Sequence, residues 1–276
     1  MRLAVFDEQG LGDRMLAANL LRNLRDKDIE VVLECHPRLE AIYRRSFPWI
    51  DHIYPTAKDE AIEWPHTLKP DAKCAVMSLA KFFWSGGEFD TTPYLLPNPD
   101  LYVKYREEFE SYGPGPYYAF TWKGGAMKTN TKYRSMKLAN FRPLIEAGGT
   151  WISMQYHEEA EGKIARLREQ SGLPVFHCKA AQEFDYDHTL AALAAVDHTI
   201  TVCNSVVHTC GAAGLPCTVL VPKRRAWRYP RGEHFPWYGT HIRMEHQLND
   251  MDWSSVIETV RGNIESRNSR ARPVAA

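Results

Sequence analysis

Two hydrophobic rhythms alternate along the chain. Short apolar, β-branched runs read as buried strands: Leu3 to Phe6, Glu30 to Glu34 and Asp51 to Tyr54. Between them, apolar residues recur at helical spacing. Met15, Leu16, Leu20, Leu21 and Leu24 mark a helix opening at Asp13 and running to about Arg25, and Leu39, Ile42 and Tyr43 mark one over 37–46. The stretch from Lys58 to Pro99 is less regular. Ala75 to Leu79 fits a strand or a helix start, residues 82–87 (FFWSGG) form an aromatic loop, and Pro93, Pro97 and Pro99 mark extended chain. Leu101 to Tyr112 is helical again. Gly113-Pro114-Gly115-Pro116 then reads as a hinge, which places a domain boundary between residues 1–113 and 114–276.

Beyond the hinge the alternation restarts. Strands are predicted over 117–122, 150–155, 175–178, 197–202 and 217–221, and helices over 138–147, 158–171, 187–196, 206–213 and 253–265. Lys123-Gly124-Gly125 is a turn, residues 126–137 form a polar loop, and the tail from Asn268 is expected to fray. The pattern predicts an α/β protein of two parallel-sheet domains with a ligand cleft between them, the closing helix packing back on the first.

The stretch 201–222 (TVCNSVVHTCGAAGLPCTVLVP) organises the rest. It reads as strand, tight loop, short helix, stop and buried strand. Asn204 and Ser205 suit a helix N-cap, and Gly214 with Pro216 ends the helix. Free amides at that N-terminus, with Ser205 and His208 beside them, form a seat for a diphosphate. A plain packing helix with a satisfied histidine has the same spelling.

Composition narrows the function classes. Lys+Arg and Asp+Glu both number 34, so bulk capture of nucleic acid or anionic membrane is not favoured, though a local basic patch remains open. No apolar run approaches the ~20 residues of a membrane span. The start, MRLAVFDEQG, lacks signal-peptide architecture and reads as the first strand of a cytoplasmic protein. None of the six cysteines forms a CxxC pair, which argues against zinc and for buried reduced thiols; Cys203 and Cys210 bracket the organising helix and are near enough to approach each other.

Several stretches, in order, resemble one family. They are Glu8-Gln9-Gly10-Leu11-Gly12-Asp13, Ser78-Leu79 with Pro93-Tyr94-Leu95, Thr121-Trp122-Lys123-Gly124 with Arg134-Ser135 and Leu138, Ile152-Ser153-Met154-Gln155, and Val202 to Pro216 followed by Trp227-Arg228-Tyr229 and Pro236-Trp237-Tyr238. Together they resemble the GT-B glycosyltransferases: the bacterial heptosyltransferases, and more closely the catalytic domains found behind tetratricopeptide repeats. The resemblance implies two Rossmann-like domains with parallel sheets facing a central cleft. It implies an inverting, metal-independent glycosyltransferase with a nucleotide-diphosphate sugar as donor and no cofactor. Members often carry aspartate at the position of Cys203 and threonine at that of Asn204, so a carboxylate is missing here.

The resemblance also assigns roles. Asp13 is the catalytic base, although an aspartate at a helix start is also a favoured cap. The Ser205/His208 helix end, Asn204, Lys123 and Arg134 hold the diphosphate, unless the last two merely line a solvated loop. Gly10 and Gly12 let backbone approach substrate, or only make a tight turn. Gln155, at a strand's C-terminal end on the ligand edge, is placed to bind the base or ribose, or is equally a plain loop residue. The basic run 222–228 follows the last strand on the ligand edge, where Arg228 is placed for an anion and Trp227 to pack over the donor, unless the run is simply solvated; His234 and Trp237, in the next loop, are placed toward the acceptor. Asp185 and Asp187 have a metal-binding spelling but precede a helix, where capping is expected. Activity in chelator follows. A nucleotide-sugar 2-epimerase and a non-catalytic nucleotide-sugar module share this architecture. The donor nucleotide, the acceptor (glycan, protein or modified nucleobase) and the oligomeric state stay open.

Overall fold

A computed structural model describes residues 1–57, 64–84, 86, 88–125 and 131–271, without side chains for 270 and 271. Ser85 and Gly87 of the aromatic loop, 126–130 of the polar loop and the tail 272–276 lie outside the described residues.

The first half builds a four-stranded parallel sheet from β1 (Arg2–Phe6), β2 (Glu30–Cys35), β3 (His52–Pro55) and β4 (Ala72–Ala75), in the order β3-β2-β1-β4. Val5, Val32 and Leu33 are buried on opposite faces, as continuous apolar runs in a parallel sheet require. Among the described residues the helices that follow these strands are α1 (Leu11–Ala18), α2 (Glu40–Ser46), α3 (Trp64–Leu68), α4 (Ala80–Phe83) and α5 (Pro99–Tyr112). The first differs from expectation. Gly10 is its N-cap, so Asp13 lies in the first turn instead of capping it, and after Ala18 the chain tightens into 3-10 turns over Asn19–Leu24. The change falls at Asn19, whose side chain is taken by Asp90 O at 2.8 Å and Arg22 Nε at 3.0 Å. The ambiguous segment after β4 is a 3-10 turn over Val76–Leu79 leading into α4, so Phe82 and Phe83 are helical.

The second half builds a seven-stranded sheet: β5 (Tyr117–Thr121), β6 (Thr150–Ser153), β7 (Val175–His177), β8 (His198–Val202), β9 (Cys217–Val221), β10 (His234–Phe235) and β11 (Gly239–His246). The order is β10-β11-β9-β8-β5-β6-β7, parallel except between β10 and β11. Its helices are α6 (Arg142–Glu146), α7 (Ala160–Ser171), α8 (Tyr186–Ala194), α9 (Ser205–Ala213) and α10 (Ser254–Ala271).

One buried core runs from the first sheet into the second: Leu3, Val5, Met15 and Leu16 share it with Leu190, Val207, Cys210 and Tyr238. A second core lies on the far face of the large sheet, where Tyr118, Phe120, Trp151 and Ile200 meet Trp253, Ile257 and Val260. The closing helix α10 therefore covers the second sheet, and none of its buried residues among the described ones joins the core of the first. Asn268 accepts from Tyr118 Oη at 2.6 Å and donates to Ala147 O at 3.0 Å. The helix before the hinge also packs across. Tyr105 Oη of α5 meets His188 Nδ1 of α8 at 2.7 Å, Arg106 donates to Ala195 O at 3.3 Å, and Tyr112 stacks on Phe176 at 4.2 Å. By packing, α5 thus lies against the second half, ahead of the Gly113–Pro116 stretch.

The expected caps ahead of α8 divide into two roles. Asp185 is the cap, accepting from Asp187 N at 3.0 Å. Asp187 is buried and takes Arg45 of α2 through both oxygens, at 2.9 and 2.5 Å. That ion pair joins the two halves, as does Arg38 Nε donating to Phe184 O at 2.8 Å. All six cysteines are free, and Cys203 donates to Leu220 O rather than pairing with Cys210. Among the described residues no helix is long and apolar enough to cross a membrane, and no cluster of three His, Cys, Asp or Glu has metal-binding geometry.

Candidate active site

In each sheet the strand order reverses beside the first strand of that half: between β1 and β4, and between β5 and β8. Loops leaving the strands at such points open a crevice, and ligands bind there in open α/β sheets. Here α1 leaves the first point, while the Trp122–Gly124 loop and α9 leave the second.

The two helix starts meet. A Cβ on Gly12 would lie 2.7 Å from His208 Cδ2 and 3.3 Å from the Ser205 Cα. What Gly12 admits is therefore α9, not a substrate. Gly10 has no such demand, since a Cβ there would sit in ordinary contact, 3.7 Å from Asp13 Oδ2.

Asn204 caps α9 by accepting from Val206 N at 2.9 Å, and its amide donates to Thr121 Oγ1 at 2.8 Å and Lys123 O at 3.3 Å. It thus ties the helix to the loop after β5. The helix ends at Gly214 in the left-handed conformation, as its sequence predicts. Ser205 Oγ accepts from Tyr186 Oη at 3.1 Å.

His208 does not stand beside the open amides. It is buried, with Nδ1 3.1 Å from Tyr238 Oη, and the Tyr229, Phe235 and Tyr238 rings surround it. Burial first, and the Arg228 charge second, push its pKa down to about 3. A neutral, enclosed ring lends the site neither charge nor an exposed donor, so the packing reading of His208 replaces the catalytic one. Tyr238 is linked on to Tyr94, whose hydroxyl donates to Met15 O of α1 at 2.8 Å. Tyr94 N and Leu95 N in turn donate to Ala212 O of α9 at 2.8 and 3.0 Å. The Pro93-Tyr94-Leu95 segment is thus a strap between the two helices.

Gln155 is fully buried at the end of β6, and its Oε1 accepts from Trp122 N at 3.0 Å and Lys123 N at 2.9 Å. It braces the loop from below, and among the described residues its Nε2 has no hydrogen-bond partner. Gly124 N donates to Ser135 Oγ at 3.1 Å. Arg134 lies across Gly124, where a Cβ would come within 2.7 Å of Nε, and its Nη1 donates to Cys203 O at 2.8 Å. The sequence pattern gave no hint that Gly124 is the seat of Arg134. Cys203 lies inside, where burial pushes its thiol up to about 12, so it supplies no anion in place of a carboxylate.

Arg228 pairs with Asp13, each side chain 20% exposed. The sequence could not show this pair: the two residues are 215 apart along the chain. Trp227 is 66% exposed, with the Arg228 guanidinium 5.6 Å from its ring. The neighbouring Arg224 is held by Asp250 at 2.5 Å and Tyr133 Oη at 3.1 Å.

The starts of α1 and α9 present their positive ends to one place, with Arg134, Arg228 and the Asp13 carboxylate beside them and the Lys123 backbone alongside; the Lys123 charge is felt by His157 and Glu159. Comparison with solved structures identifies the architecture. E. coli ADP-heptose LPS heptosyltransferase II superposes with TM-score 0.64 at 15% identity over 98% of this chain and all of that one. A glycosyl transferase of family 9 from Veillonella parvula gives 0.64 at 13% identity, covering 98% and 96%. The E. coli heptosyltransferase WaaC, solved with ADP, gives 0.59 at 12% identity, covering 95% and 100%. The chain has the GT-B fold.

No family model matches the sequence. Protein FlbA of Caulobacter vibrioides is 26% identical over 259 residues, 86% of this chain; the chain spans 42% of that protein's length.

Proposed function

We propose that this protein is an inverting glycosyltransferase that moves a sugar from a nucleotide-diphosphate donor to an acceptor hydroxyl. The reading rests chiefly on one observation: the amide-bearing starts of α1 and α9 converge from the two sheets with Asp13, Arg134 and Arg228 between them. The α9 amides and Arg134 receive the diphosphate, and Lys123 adds charge from the braced loop. The acceptor oxygen attacks the anomeric carbon from the face opposite the phosphate. The carbon–oxygen bond to phosphate breaks, its electron pair leaves with the nucleoside diphosphate, and the acceptor proton passes to Asp13.

Arg228 links the two halves of this chemistry. It holds Asp13 in the free protein and stands where charge develops on the leaving group. Two arginines, a lysine and a helix end supply the positive charge, so the scheme has no step for a metal, and turnover should survive EDTA. WaaC was solved with ADP and with ADP-2-deoxy-2-fluoro heptose, which makes ADP-sugars the first donors to try. We place the reaction in the cytoplasm, where nucleotide sugars are made.

The test is a thermal-shift screen of ADP, UDP and GDP and their sugars, followed by Asp13→Asn. A bound nucleotide raises the melting temperature by mass action. Asp13→Asn should keep that shift and lose at least ~100-fold in turnover, in the range for a general base. No shift with any nucleotide, or full turnover by the variant, would overturn the reading.

A further inference from the structure

The turn that carries Asp13 is held together by its neighbour Arg14. The Asp13 carboxylate lies over Gly10, where a Cβ would sit 3.7 Å from Oδ2. The residue before that glycine is bent: Gln9 has φ 69°, a left-handed conformation that costs any residue with a side chain free energy. Arg14 fixes this stretch, its Nε donating to Gln9 O at 3.0 Å and its backbone N to Gly10 O at 3.0 Å. Its Nη1 lies 3.8 Å from Oδ2 of Asp7, the residue after β1. The Asp7 side chain is 2% exposed and thinly bonded for a buried carboxyl. Oδ2 accepts from His36 N at 3.4 Å, and among the described residues Oδ1 has no hydrogen-bond partner. The groups facing Asp7 are Arg14 of α1, Glu34, Cys35 and His36 along the end of β2, and Tyr43 of α2. Burial keeps the Cys35 thiol and the Tyr43 hydroxyl protonated, raises the Glu34 carboxyl and lowers the His36 ring, so Arg14 is the cation that answers a charge on Asp7.

We propose that Arg14 is the positioning residue for the Asp13 carboxylate and that the charge on Asp7 sets how firmly it acts. This inference rests on the transferase reading for the role of Asp13 and adds the device beneath it. Ionised Asp7 draws in the Arg14 head, which tightens the Gln9-Gly10 stretch on which Asp13 lies. Protonated Asp7 lets the head go. Burial sets that change at about pH 7, against the lowering pull of Arg14. Asp13 is thus held best above pH 7, where the same buried charge costs the whole fold stability.

Carboxyl-carbon NMR of the aspartate-labelled full chain tests this with neither donor nor acceptor present. The Asp13 resonance, identified by its loss in Asp13→Asn, should show an inflection near pH 7 that follows the titration of Asp7. Asp7→Asn should abolish that inflection. Arg14→Met should abolish it as well, while Asp7 itself still titrates, because the signal reaches Asp13 through the arginine. Unchanged resonances from Asp250 and Asp252, in the second half of the chain, show each variant to be folded. An Asp13 resonance with no inflection near pH 7, or an inflection that persists in Asp7→Asn or in Arg14→Met, would overturn the clasp. Nucleotide binding is read separately. A coupled Asp13 in a chain that no nucleotide stabilises keeps the clasp and loses the transferase; an uncoupled Asp13 in a chain that binds nucleotide loses the clasp alone.

Discussion

His198 and His208 are both held neutral by burial, with pKa values pushed down to about 3 from an ordinary 6.5. His198 Nε2 meets Thr218 Oγ1 at 2.9 Å, and among the described residues no partner reaches its Nδ1. Unfolding lets both rings take up protons below pH 6.5. Their contribution to stability is complete above that value and is lost as pH falls toward 3. Asp7 has the opposite sign. Burial raises its carboxyl to about 7 against the lowering effect of Arg14, so its contribution is complete below about pH 4 and is lost as pH rises through 7. Two groups against one leave a net gain on the order of 1 kcal/mol per pH unit between pH 4 and 6.5. Urea melts across that range should show it. His198→Asn should flatten the slope and Asp7→Asn should steepen it; no change in either variant would dismiss these assignments. Burial at single residues is what the sequence read least well. His208 and Ser205 sit on a helix whose spelling suits either a mouth or a core, and only the Tyr94, Tyr229 and Tyr238 side chains, brought from afar, decide which.

At the scale of elements, the loop after β5 depends on a side chain from the next strand. Gln155 satisfies two backbone N–H groups, at Trp122 and Lys123, with one oxygen. Gln155→Leu should strand both and cost about 1–3 kcal/mol, and it should weaken nucleotide binding by loosening Lys123. Gln155→Glu keeps the accepting oxygen and should recover most of the loss. Equilibrium unfolding and the nucleotide thermal shift read both. Elements themselves were legible wherever apolar runs were continuous, as in β1, β2, β5, β8 and β9. The pair β10 and β11 escaped because it lies at the sheet's edge. Only Ile242 and Met244 of β11 are buried, an alternation His241-Ile242-Arg243-Met244-Glu245 that is visible in retrospect. The shortening of α1 escaped because its apolar spacing continues through the 3-10 turns.

For the whole molecule, the two halves are joined by packing as well as by the chain. Gly12 against α9, the Tyr94 strap and the Arg45–Asp187 pair all cross between them. Arg45→Met should leave the Asp187 carboxylate buried and unpaired, a loss of about 3–5 kcal/mol. Limited proteolysis should then cut between the sheets faster than in the parent. Unchanged resistance would mean the pair contributes little. Residues 142 positions apart carry no local signal of such a pair, so the attachment of the two halves was not legible in the chain. The seat of α5 bears on engineering. A gene recombined to trade acceptor halves among relatives should be spliced ahead of Asn98, so that α5 travels with α8. A join at Gly113 would put Tyr105 and Phe109 on a foreign partner with nothing shaped to receive them.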